Sequence, residues 1–168
     1  MKKTFLILAS LLIILSACTK EIPERDRKPS VTAETTAVKT TILSMADNYN
    51  KGNIEGVVEL FTDDYIGSYP QDDDVIGTDK MANDLSNYMK QYPGGVWKID
   101  INEIGVSGDQ AFARVTSTFS MPKDNNGGVA PIYSEKSLKI LKRVKDNTWL
   151  IYRSMSFPAY TYSPTTIK

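Results

Sequence analysis

The chain has 168 residues, with 20 lysines and arginines, 20 aspartates and glutamates, one cysteine and no histidine. Balanced charge without a basic face argues against nucleic acid as a partner. The missing histidine excludes zinc sites of the Cys/His kind, Ser-His and Cys-His nucleophile pairs, and histidine acid–base chemistry.

Lys2 and Lys3 precede the uncharged apolar run FLILASLLIIL (residues 5–15), too short to span a bilayer and of the right size for a secretory signal core. Leu15-Ser16-Ala17-Cys18 follows. Basic start, apolar core and L-S-A-C, in that order, resemble the bacterial lipoprotein signal. The resemblance implies cleavage after residue 17, acylation of Cys18 on sulfur and on its new amine, and stable attachment to a membrane, because two or more acyl chains hold firmly. Acylation of Cys18 would leave no thiol for a disulfide, and loss of Lys2 and Lys3 would leave a slight excess of acids. Thr19 stands where inner-membrane lipoproteins usually carry aspartate, which favours the outer membrane of a bacterial cell envelope. TKEIPERDRKPS (19–30) is charged, carries Pro23 and Pro29, and reads with Cys18 as a flexible tether.

A domain is expected over residues 31–158. Val38, Ile42, Met45 and Tyr49 recur at helical spacing and predict a helix over residues 31–50. Gly52 ends it, and Asn53 can cap a short second helix that runs to Phe61. YIGSY (65–69) has strand composition and stops at Pro70. Thr78 can cap a third helix whose stripe is Met81, Leu85, Tyr88, Met89 and Tyr92, ended by Pro93-Gly94-Gly95.

The remainder reads as an antiparallel meander. VWKIDINEIGVS (96–107) alternates and then changes phase near Asn102-Glu103, which predicts a β-bulge. QAFARVTSTFSM (110–121), IYSEKSLKILKRV (132–144) and WLIYRSMSF (149–157) supply three more strands, with a Gly-rich loop before the second. The basic run KSLKILKRVK (136–145) reads as the solvated positions of a strand. Residues 159–168 are expected to be a tail without regular structure. The fold class is α+β.

YNKGNIEGVVELFTDDYIGSYP (49–70), Ile76-Gly77-Thr78, the Gly108-Asp109-Gln110-Ala111 turn, and Asp146 to Trp149 with Ser156 resemble the nuclear transport factor 2-like superfamily. Its SnoaL-like and calcium/calmodulin-kinase-association-like small domains are the nearest in pattern, and the resemblance covers roughly residues 34–158. It implies a cone, in which a curved antiparallel sheet wraps a long N-terminal helix beside two further short helices and leaves a pocket at one end. Families with this fold use the pocket for catalysis or binding, and many dimerise across the outer sheet. The ketosteroid isomerases of the superfamily use an aspartate base, a tyrosine and a protonated aspartic acid. Here those roles fall on Tyr69, Met45 and a position near Ile140 or Leu141, so all three are vacant. Its dehydratases depend on histidine, which this chain lacks.

Five aspartates cluster in FTDDYIGSYPQDDD (61–74). Asp63 and Asp64 read as the turn from helix to strand, and Asp72, Asp73 and Asp74 as a solvated loop without calcium-site spacing. Alternation places Tyr65, Gly67 and Tyr69 on one face, toward the pocket. Met45, Tyr49, Tyr65, Tyr69, Trp97 and Phe119 are therefore the candidate ligand-binding residues, with a filled aromatic core as the alternative. No catalytic residue, cofactor or metal is assigned. The leading expectation is a lipid-anchored envelope protein with a non-catalytic pocket for a small apolar or amphipathic ligand or a partner. The alternatives are an enzyme without histidine, using Tyr69, Asp47 or Arg114 and needing a carboxylate in the pocket, and a homodimeric assembly module. Arg114 itself is expected to be solvated or at an interface.

Overall fold

The computed structural model describes residues 31–70, 72–122 and 129–159. The expected leader, Cys18, the tether, most of the Gly-rich loop and the tail from residue 160 lie outside the described residues. The elements are α1 (Val31–Asn50), α2 (Ile54–Val58), β1 (Phe61–Ser68), β2 (Val75–Ile76), α3 (Gly77–Gln91), β3 (Val96–Ser107), β4 (Gln110–Pro122), β5 (Val129–Lys145) and β6 (Thr148–Pro158).

The predicted stripe of α1 is buried, and Thr41 on the same face donates to the Trp149 carbonyl at 3.0 Å, which pins the helix to β6. Gly52 ends α1 in a left-handed conformation (φ 75°), where a side chain would be strained. Asn53 caps α2 as expected, its side chain accepting from the Gly56 amide at 3.0 Å.

The second helix stops at Val58 rather than at Phe61, because Phe61 opens β1 beside Ile151 of β6. Asp63 and Asp64 consequently lie within β1 on its exposed face, not in a turn before it. Asp64 there receives Lys142 at 3.2 Å. Thr78 is not the cap of α3 either: Gly77, at φ 79°, starts the helix and Ile76 precedes it without a side-chain cap.

One six-stranded sheet runs β2-β1-β6-β5-β4-β3. Neighbouring pairs are antiparallel except β1 with β6, which run parallel, so the expected purely antiparallel sheet is mixed at that pair. The predicted bulge in β3 falls between Ile101 and Glu103. The sheet curls so that α1 packs on both β3 and β6, as the cone requires. A second bulge, on β6, leaves Tyr152 without an opposite number between the pairs Leu141–Ile151 and Ile140–Arg153.

That second bulge positions the site. Trp149 and Ile151 point into the core, and beyond Tyr152 the inward residues become Ser154 and Ser156. Without it, Met155 and Phe157 would share the face of Trp149 and Ile151. With it they face outward, 51% and 55% exposed.

Candidate functional site

The inner face of the sheet changes character along its strands. On β4 the buried residues pass from Ala113 and Val115 to Ser117 and Phe119. On β5 they pass from Leu141 to Lys139, Ser137 and Glu135, and on β6 from Ile151 to Ser154 and Ser156. The apolar part packs against α1. Over the polar part a cavity of about 800 Å³ remains.

Its walls are Met45 and Tyr49 of α1, Met81, Leu85 and Tyr88 of α3, Trp97, Phe119 and Tyr69. The aromatic rings meet edge-on, Tyr49 with Trp97 at 5.7 Å between centroids and Tyr88 with Phe119 at 4.9 Å. Such contacts fix the walls without filling the space. Ser117, Glu135 and Lys139 form the floor. Asp72, Asp73, Lys80 and Asp84 stand at the rim, where Lys80 and Asp84 pair at 2.8 Å.

Of the six residues expected to bind ligand, Met45, Tyr49, Tyr69, Trp97 and Phe119 line the cavity. Tyr65 stands behind the wall, fully buried, its hydroxyl 3.2 Å from that of Tyr69. Gly67 lies between them on the same face, and a Cβ there would collide with the Tyr65 hydroxyl and crowd the Tyr69 ring. The Y-x-G-x-Y spacing thus permits one tyrosine to lie along the strand toward the other. Burial raises the proton affinity of both, Tyr69 well above the ordinary tyrosine value. Burial and then the Tyr88 hydroxyl push Tyr49 up to about 12. These tyrosines are neutral hydrogen-bonding groups at physiological pH.

Two charged residues of the floor escaped the sequence reading. Lys139 belongs to the basic run whose composition predicts solvated positions, yet it is 2% exposed, while Lys136 and Lys145 of the same run face water. Arg143 is also largely covered: it donates to Glu34 at 2.6 Å and lies over the Trp149 ring at 4.5 Å. Glu135 is 7% exposed and accepts from the Tyr133 hydroxyl at 3.1 Å. The signal for both was their phase. Residues 135, 137 and 139 alternate in step with Leu141, whose burial fixes the inward face. The apolar Leu138 and Ile140, on the opposite phase, argued for the reverse.

Burial pushes the Lys139 ammonium down from the ordinary lysine value, and the Glu135 carboxylate works against that shift. Among the described residues Lys139 donates only a long hydrogen bond, 3.4 Å, to the Ser154 hydroxyl. The hydroxyls of Ser117, Ser137 and Ser156 are buried without a protein partner among the described residues. Asp47 is exposed on α1, and Arg114 lies on the outer sheet against Glu103 at 3.1 Å, so neither reaches the cavity. Among the described residues no three His, Cys, Asp or Glu side chains come together as metal ligands.

The sequence matches the SnoaL-like domain family over residues 42–135, and the chain belongs to that family. No curated protein matches it by sequence. Among solved structures, an NTF2-like protein with a cystatin-like fold from Novosphingobium aromaticivorans superposes with a TM-score of 0.68 at 15% identity, over 79% of this chain and 86% of that one. A ketosteroid isomerase-like protein from Erwinia carotovora atroseptica gives 0.62 at 20% identity, over 76% and 97%. A protein from Catenulispora acidiphila, solved in complex with S-DNPA, gives 0.62 at 16% identity, over 74% and 92%. The fold is that of the NTF2-like cone.

Proposed function

We propose that this SnoaL-like domain binds a small amphipathic molecule in its cone, without turning it over, and does so from a bacterial envelope membrane to which acylated Cys18 anchors it. One observation carries the binding reading: aromatic walls and a hydrogen-bonding floor meet in one cavity of about 800 Å³. Ligand sites combine a largely apolar lining with a few polar groups in this way, and the volume suits a molecule of a few hundred daltons. The Catenulispora relative, solved with S-DNPA, supports the reading. Vacant isomerase positions at Tyr69 and Met45 support binding over turnover. The outer membrane is the favoured location.

Native mass spectrometry of residues 25–168, purified without detergent, tests the binding reading. A co-purifying mass that disappears on denaturation is expected. A clean apo mass, with no binding across a panel of apolar and amphipathic compounds, would overturn it. For the anchor, Cys18→Ser should release the chain from the membrane fraction and abolish labelling by a fatty-acid probe; unchanged labelling would refute acylation there.

Glu135 favours a second reading, an enzyme that moves a proton without histidine. A carboxylate lining the cavity and held by the Tyr133 hydroxyl at 3.1 Å is what such an enzyme requires. Turnover of a bound compound that is lost in Glu135→Gln, with binding kept, would establish this reading in place of the first.

A further inference from the structure

We propose that Lys139 is a carbonyl-capturing residue: the cavity admits a small aromatic or amphipathic aldehyde or ketone, whose carbonyl carbon condenses with the Lys139 amine to a reversible imine. The proposal rests on the cavity being a ligand site and names the class of ligand.

Position is the first argument. Lys139 comes from the middle of the inward face of β5, opposite Ser154 on β6, and forms part of the cavity floor while 2% exposed. Its partners are the second. Lys80, Lys98 and Lys142 each hold a carboxylate, at 2.8, 2.7 and 3.2 Å. Lys139 holds none within ion-pair distance among the described residues, only the Ser154 hydroxyl at 3.4 Å. A buried ammonium without a contacting anion is poorly stabilised, and its burial lowers its hold on the proton. A neutral amine in an apolar pocket is the form that attacks carbonyl carbon.

The surroundings supply the rest of the reaction. The Nζ lone pair adds to the carbonyl carbon, and the carbonyl π electrons move to oxygen, which takes a proton to give a carbinolamine. Nitrogen loses a proton. The hydroxyl then leaves as water as it is protonated, the nitrogen lone pair closes the C=N bond as an iminium, and loss of the remaining N–H proton gives the imine. One water is released and no electrons are exchanged with any other reagent. Glu135 is the floor's carboxylate for moving these protons, and the coulombic pull it exerts on Lys139 would also hold an iminium. The Ser117 hydroxyl, without a protein partner among the described residues, also lines the cavity and can bond the carbinolamine oxygen. With Lys139 a neutral amine, the charge left on the floor is that of the Glu135 carboxylate, which suits an uncharged carbonyl better than a second carboxylate.

The test uses the full chain purified in detergent, with cinnamaldehyde as probe and sodium cyanoborohydride as the hydride donor that fixes an imine. A single reduced adduct is expected, mapping to Lys139 at least about tenfold above Lys80, the exposed lysine at the cavity rim. Lys139→Met should lose it while keeping the circular dichroism of the parent. Cinnamyl alcohol, which cannot form an imine, should quench the tryptophan fluorescence of the parent. Alcohol binding without a Lys139 adduct, or adducts spread evenly over exposed lysines, would overturn imine capture and leave the ligand-site reading standing. Absence of both alcohol binding and adduct would overturn the two together.

Discussion

The two ends of the cone's inner face are built from the same three strands and obey opposite rules. At the closed end Ala113, Val115, Leu141, Trp149 and Ile151 meet Val38 and Ile42 of α1, and the buried inward residues of these strands are apolar. At the open end the same strands turn inward Ser117, Glu135, Ser137, Lys139, Ser154 and Ser156, while Leu138, Met155 and Phe157 face solvent. Apolar burial stabilises the first end. The second costs stability, because buried polar groups without partners forfeit their hydration. A fold that keeps such an end is stabilised elsewhere and uses the polar end for something other than stability.

Removing the closed end's anchor has the largest expected effect. Trp149 is 1% exposed, and Trp149→Ala should cost about 3–5 kcal/mol in urea unfolding. A loss below about 1 kcal/mol would mean that the closed end does not dominate stability. Arg143 closes this end from outside, donating to Glu34 at 2.6 Å, to Asp109 at 3.2 Å and to the Gly108 carbonyl at 3.0 Å. Arg143→Ala should cost about 2 kcal/mol, since it removes charged hydrogen bonds and leaves Glu34 largely buried. Arg143→Lys should restore only part, because an ammonium cannot reproduce the fork. Full recovery by lysine would show that charge alone matters there.

The closed end and the aromatic walls of the open end were legible in the sequence, and the polar floor was not. The α1 stripe, the Asn53 cap, the β3 bulge and the Tyr65-Gly67-Tyr69 face follow from spacing and turn chemistry, all local signals. The N-terminus of β1 was missed because Phe61 pairs with Ile151, a long-range contact that overrides the helical pattern before it. The floor was missed for a different reason. Reading a strand assigns apolar residues inward, and β5 reverses that assignment at Leu138, Lys139 and Ile140. On β6 the bulge at Tyr152 changes which phase is inward, a backbone event that alternation does not record.

Exchanging the open end's chemistry for the closed end's should stabilise the protein. Lys139→Met replaces a buried amine with an apolar side chain of similar length, and a gain of about 1 kcal/mol is expected near neutral pH. The pH dependence identifies the cause. Burial lowers the folded-state proton affinity of Lys139 below the unfolded value of 10.5, so the unfolded chain binds more protons in the window between the two. The parent's stability relative to the variant therefore rises with pH through that window, and the gain shrinks toward pH 10.5. Tyr49, with its proton held to about 12, works in the opposite direction and is common to both proteins, so it cancels in the difference. A gain that does not change with pH would assign the effect to packing instead.

The smallest effect on stability is expected on the outer face, and it separates self-association from the pocket. Leu138 and Met155 are cross-strand neighbours, with Phe157 further along, and their side chains are 41%, 51% and 55% exposed. If the homodimer that the family resemblance offers as an alternative forms, this contiguous apolar area is the surface it would bury. Leu138→Lys should shift unfolding by no more than about 0.5 kcal/mol, because the residue already faces solvent. It should nevertheless convert a sedimenting dimer to monomer and leave ligand binding at the open end unchanged. A parent that sediments as a concentration-independent monomer would remove the dimer, and the outer leucine would then be only the chain neighbour of an inward lysine. If instead the variant lost both association and ligand, the two faces would be coupled through β5, where Leu138 and Lys139 are adjacent.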